Sequence, residues 1–86
     1  MEHFTKTIGR IDFSFDLKNQ SGEYFYQVSS GSLTFEMHSN DNGKWKIITP
    51  VPMFIKNMEQ DLGLAIESYT GWNEIAYSIA FYPIIQ

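Results

Sequence analysis

The chain opens on alternation. Ile11, Phe13, Phe15 and Leu17 fall on one side of an extended chain, and Asp12, Ser14 and Asp16 on the other. Period two with one polar face is the pattern of a half-buried strand, which can begin as early as Phe4 with Gly9 as a weak point or bulge. Lys18 to Gly22 reads as a loop by composition. A second strand, Glu23 to Ser29, is rich in β-forming residues, with Tyr24, Tyr26 and Val28 on one face and Phe25 beside Gln27 on the other. Ser30-Gly31 turns the chain. Leu33, Phe35 and Met37 then face inward, with Thr34, Glu36 and His38 outward. After a turn over Ser39 to Gly43, Trp45 and Ile47 alternate with Lys44 and Lys46. These four strands form an antiparallel meander.

The period changes after Pro50 and Pro52, which cannot continue a central strand. Phe54, Ile55, Met58, Leu62, Ala65, Ile66 and Tyr69 lie within an arc of ~120° on a helical wheel, the width of a core-facing stripe. A helix over about 52–70 follows, with Gly71 as its stop. Ile75, Tyr77, Ile79 and Phe81 alternate again and predict a last strand, ended by Pro83. The expected order is β-β-β-β-α-β: an α+β single domain over 1–86, a mostly antiparallel five-stranded sheet with one helix on one face.

Composition narrows the function classes. At 86 residues with 43% apolar and 16% aromatic content, one small domain is expected to fold without staples. It has no cysteine, which removes disulfide scaffolds, thiolate zinc sites and thiol chemistry. No segment reaches the ~20 apolar residues of a membrane span, and the N-terminus has no signal-like apolar run. A cytoplasmic protein with no membrane partner is the expectation. The net charge of −4 argues against general phosphate-backbone binding. All six basic residues fall in 1–56; Glu59, Asp61, Glu67 and Glu74 make the last third uniformly acidic, as a solvated helix face or as a patch for a basic partner.

Candidate chemistry is sparse. His38 to Ile47 resembles a calcium loop in composition, but with Gly43 at the glycine position His38 and Thr49 occupy the positions that need acids. A hairpin bent at Asn42-Gly43 explains the same residues. The two histidines, His3 and His38, suggest no metal site. Asp12 and Asp16 are ~13 Å apart along one strand, too far for a paired-carboxylate mechanism, although Asp12 can meet a neighbour such as Glu36. No nucleophile elbow or phosphate loop is present. Neither enzymatic activity nor a cofactor is expected.

Two binding surfaces remain. The first is for a protein partner or a second copy of the chain: Met53, Asn57, Gln60 and Leu64 on the helix side away from the core, with Trp72 after it. Gly63 there would let another backbone approach closely. Homodimerisation through an edge strand is also an expectation. The second is the open sheet face, where Phe25, Tyr82, Lys44 and Lys46 would stack and neutralise single-stranded nucleic acid. Four strands followed by a helix also resembles, in topology, the repeat unit of PUR-type and Whirly-type single-strand binders, a likeness that rests on no motif residue. The preferred expectation is a non-enzymatic protein-interaction or inhibitor-type module, because Asp12, Asp16 and Glu36 oppose nucleic acid on the sheet face.

Overall fold

The computed structural model describes residues 3–70. Five strands come first: β1 (His3–Ile8), β2 (Ile11–Gln20), β3 (Glu23–Ser30), β4 (Leu33–Ser39) and β5 (Trp45–Ile47). They pair in chain order as an antiparallel meander. Two helices follow, α1 (Met53–Lys56) and α2 (Glu59–Thr70). The α+β architecture, an antiparallel five-stranded sheet with helix packed on one face, is as the pattern predicts.

The inventory of elements differs in three places. The stretch from Phe4 to Leu17, read as one strand with a bulge, is a hairpin. Ile8 pairs with Ile11, and both residues between them, Gly9 and Arg10, have positive φ (59° and 70°). That pair of angles is a tight turn whose twist matches the flanking strands. The Lys18–Gly22 loop shrinks to Ser21-Gly22, again both at positive φ. Lys18, Asn19 and Gln20 extend β2 and pair with Phe25, Tyr24 and Glu23. Five strands thus precede the helices, so residues 3–70 do not form the four-strands-then-helix unit of the single-strand binders. The strand expected over 75–81, with Trp72 and Tyr82, lies outside the described residues.

The third difference is in the helix. It is interrupted at Asn57-Met58: Asn57 N–H donates to the Met53 carbonyl, Met58 N–H to that of Ile55, and Leu62 N–H to that of Met58. Ile55, Leu62, Ala65 and Ile66 are buried as predicted, but Phe54, placed on the core stripe by a continuous wheel, is 58% exposed. Tyr69 is half-exposed, with one face of its ring stacked on Phe4 at 4.0 Å.

The core lies between the sheet's inner face and α2. Phe13, Phe15, Tyr26, Val28, Phe35 and Met37 supply the sheet side, and Ile55, Leu62 and Ile66 the helical side. Alternation puts these sheet residues on one face, and aromatic pairs such as Phe4–Phe15 (4.4 Å) and Phe13–Phe35 (6.5 Å, edge-on) fill it. Among the described residues, α2 comes closest not to the central strands but to the two outermost, β5 and β1. The twisted sheet therefore curls round the helix, which occupies the gap between its edges.

Candidate functional site

Each edge of the gap leaves a depression beside α2. On the β5 side, a cleft of about 390 Å³ is walled by Lys44, Trp45 and Lys46 from β5 and its preceding turn, and by residues of the α1–α2 segment, among them Asn57, Gln60, Gly63 and Leu64. The helical spacing 60, 64, 67 puts Gln60, Leu64 and Glu67 on one stripe of α2 that faces the β5 hairpin, with Asn57 beside them at the break before α2. Leu64 is 52% exposed at the rim. On the β1 side, a depression of about 540 Å³ is lined by Phe4, Ile8, Ala65 and Tyr69 with Lys6 and Asp61, and Leu64 stands on the ridge of α2 that borders both depressions. Five of the residues singled out by the sequence, Lys44, Lys46, Asn57, Gln60 and Leu64, line the β5 cleft, and only Leu64 of them lines the second depression, so the β5 cleft is the candidate site.

The hairpin that carries Lys44 and Lys46 is built by Asn40. Its side-chain Oδ1 accepts from the N–H of Asn42 (2.9 Å) and of Lys44 (3.0 Å), and its backbone pairs with Lys44 and Gly43. Gly43 takes the positive φ (79°) that the bend requires. Trp45 then turns inward, edge-on to Tyr26 at 5.4 Å. Lys46 projects from the outer side of β5, opposite His38. Its stem wraps round the edge, so that Nζ lies 3.7 Å from Glu59 Oε1.

Glu59 holds the cleft together. Its Oε2 accepts from Ile47 N–H at 2.7 Å and from Lys56 Nζ at 2.9 Å. Ile47 N–H points out of the sheet at the β5 edge, so Glu59 satisfies a donor that would otherwise invite another strand. The carboxylate is only 14% exposed. Burial alone pushes its pKa up. The Lys56 hydrogen bond, the Ile47 N–H and the charges of Lys56 and Lys46 outweigh burial and hold it below the ordinary carboxyl value of 4.5. Gly63 completes the seal. A Cβ there would stand 3.4 Å from Trp45 Cβ and 3.6 Å from its carbonyl oxygen. The close backbone approach expected at Gly63 is thus taken up within the chain, by β5.

Of the predicted site residues, Asn57, Gln60, Leu64, Lys44 and Lys46 meet in this one cleft, although the pattern assigned them to two separate surfaces. Met53 is 71% exposed on α1 and does not line it. Phe25 lies on the outer sheet face as expected, but it is only 8% exposed. Its ring is stacked on His38 at 4.7 Å and offers no open stacking surface on that side. Sequence reasoning missed Glu59, which it counted among solvated acids. The available signal was its place in the first turn of a helix, three residues after Lys56.

The outer sheet face is self-paired. His38 Nε2 meets Glu36 Oε1 at 3.1 Å, His3 Nδ1 meets Asp16, and Thr7 Oγ1 donates to Asp12 at 2.6 Å. Asp12 does not meet Glu36. The carboxylate in the row of Glu36 is Asp16, with Gln27 between them. Among the described residues no cluster of three metal-ligating side chains occurs, and no helix is long and apolar enough to cross a membrane. No protein-family model, no curated protein and no solved structure matches this chain.

Proposed function

We propose that this protein is a non-enzymatic binding module that engages another protein through the cleft between α2 and β5. The observation that carries this reading is the convergence of Lys44, Lys46, Asn57, Gln60 and Leu64 on one depression, with an exposed leucine at its rim. Concavity, a central apolar contact and surrounding polar groups are what a protein interface uses. The reading also draws support from the groups capable of chemistry. Among the described residues His3, His38, Asp12, Asp16 and Glu36 bond to neighbouring side chains on the outer sheet face, and Glu59 in the cleft is committed to Ile47 N–H and Lys56. The nucleic-acid reading loses Phe25 as an open stacking ring, and Tyr82, its other expected ring, lies outside the described residues.

Affinity capture with three forms of the chain tests it. Leu64→Asp places a charge on the rim, and Thr34→Asp places one on the outer sheet face as a control. A partner held by the wild type and by Thr34→Asp, but lost from Leu64→Asp with its circular dichroism unchanged, is the expected result. Equal capture by all three overturns it. Sedimentation over a range of protein concentrations distinguishes a second copy of the chain as the occupant.

A further inference from the structure

We infer that the occupant of the α2–β5 cleft is an acidic peptide segment of another protein, with carboxylates at Lys44, Lys46 and Lys56 and an apolar residue against Leu64. This rests on the proposed function and gives the partner its chemistry.

Three observations lead to it. First, β5 cannot accept an added strand along the cleft. The Ile47 N–H is taken by Glu59, and the Trp45 backbone lies against Gly63. Strand addition needs free main-chain groups. Recognition here must come from side chains. Second, the cleft gathers Lys44, Lys46 and Lys56, three of the six basic residues in the chain. Against them stand Glu59 and Glu67, a local excess of one positive charge (three minus two) on a chain of net −4. Lys46 and Lys56 share a single carboxylate, Glu59, which is already bonded to the backbone of Ile47. Lys44 has no ion pair among the described residues. The ammonium groups are thus under-neutralised, in a concave site where fields are focused.

Third, the lining is not purely electrostatic. Leu64 is exposed beside the amide side chains of Asn57 and Gln60. An apolar anchor flanked by acids matches this lining. A polyphosphate matches it less well: it would bring the repulsion of the whole chain, and the exposed rings of Tyr24, Phe54 and Tyr69 do not line the cleft. The outward charge of the protein therefore acts as a filter. A long anionic polymer meets the acidic body as well as the cleft, while a short acidic segment meets the cleft alone, where lysines outnumber carboxylates three to two.

A display library of short random peptides, panned against the full chain and counter-screened on Leu64→Asp, tests both steps. The expected survivors carry aspartate or glutamate around one apolar residue. Their binding, followed by fluorescence anisotropy, weakens roughly tenfold or more in Lys44→Glu/Lys46→Glu and as salt is raised. Leu64-dependent peptides that are neutral or basic, or that ignore the lysine reversal, overturn the acidic assignment; the cleft reading stands if they are also lost in Gln60→Asp, a position that lines only the β5 side, and falls if they are not. Failure to recover any Leu64-dependent peptide overturns both. Salt-sensitive binding of a single-stranded oligonucleotide that is lost on lysine reversal overturns the choice of a peptide.

Discussion

Glu59 ties the cleft to the stability of the fold, and replacing it separates its contributions. Glu59→Ala removes the acceptor of Ile47 N–H and frees Lys56 and Lys46. The Ile47 bond is charge-assisted, short at 2.7 Å and largely shielded, so its loss costs about 1.5–3 kcal/mol. The lysines are half-exposed, so each adds only ~0–1 kcal/mol after solvent screening. A net loss of about 2–3 kcal/mol lowers the melting temperature by roughly 10–20 °C in a domain of this size. Glu59→Gln keeps a neutral acceptor for Ile47, so it costs roughly 1–1.5 kcal/mol, about half the alanine loss.

The pH dependence has a definite sign. A carboxyl whose pKa is lowered by folding stabilises the fold above its unfolded pKa, and that stability is lost as pH falls through the folded pKa. Folding lowers the pKa of Glu59. Wild type should therefore exceed Glu59→Gln by a constant margin near neutral pH, and the margin should shrink below the ordinary carboxyl range, because protonated glutamate and glutamine then offer the backbone similar groups. Urea unfolding of the wild type, Glu59→Gln and Glu59→Ala at neutral and acid pH measures this. A margin that does not change with pH, or an alanine variant as stable as wild type, refutes the role given to Glu59.

Three further substitutions, at two positions, test local features by thermal unfolding. Gly63→Ala gains helix propensity of about 0.8–1 kcal/mol, and its Cβ meets Trp45 at ordinary contact distance, so it should be neutral to stabilising; Gly63→Leu should instead cost about 1–3 kcal/mol by forcing α2 off β5. Ser21→Asn converts the β2–β3 turn, with φ of 56° and 86°, to Asn-Gly, and should raise stability by about 0.5–1 kcal/mol; a loss would show that the turn geometry has been misjudged.

The sheet was legible because period two is a local signal. Phe13, Phe15, Val28, Phe35 and Met37 declare the inner face without reference to anything distant. Gly9-Arg10 was not legible as a turn. Arginine at positive φ is uncommon, and nothing in the side chain announces it. The break at Asn57-Met58 was hidden for a different reason. Phe54, Ile55, Met58 and Leu62 fit one continuous wheel, and only tertiary packing selects the interrupted one, in which Phe54 faces out. The residues of the cleft were found, but as two surfaces. Whether Lys44 and Lys46 meet Gln60 and Leu64 depends on α2 lying along the β5 edge, a long-range fact that no window of sequence contains. Glu59 was missed on the same account: an acid in the first turn of a helix looks alike whether it faces water or an edge strand.

The floor and the rim of the cleft answer to different constraints. On the floor, Glu59 and Gly63 close the β5 edge, one by accepting Ile47 N–H and the other by admitting the Trp45 backbone. Both positions are therefore constrained by the fold whether or not a partner ever binds, Glu59 as an acceptor and Gly63 by the small side chain it can carry, and a disruptive variant there that loses binding says nothing about recognition. On the rim, Lys44, Gln60 and Leu64 are exposed, so their replacement should leave stability within about 0.5 kcal/mol. Sealing the edge also gives the rim its shape. With β5 fixed to α2 at two points, the lysines of the hairpin and the helical stripe are held at a set separation, so little ordering remains to be done when a segment docks. A surface of this kind gains selectivity from the spacing of its charges about one apolar contact. Rim substitutions are accordingly the ones that distinguish a recognition site from a by-product of closing the sheet.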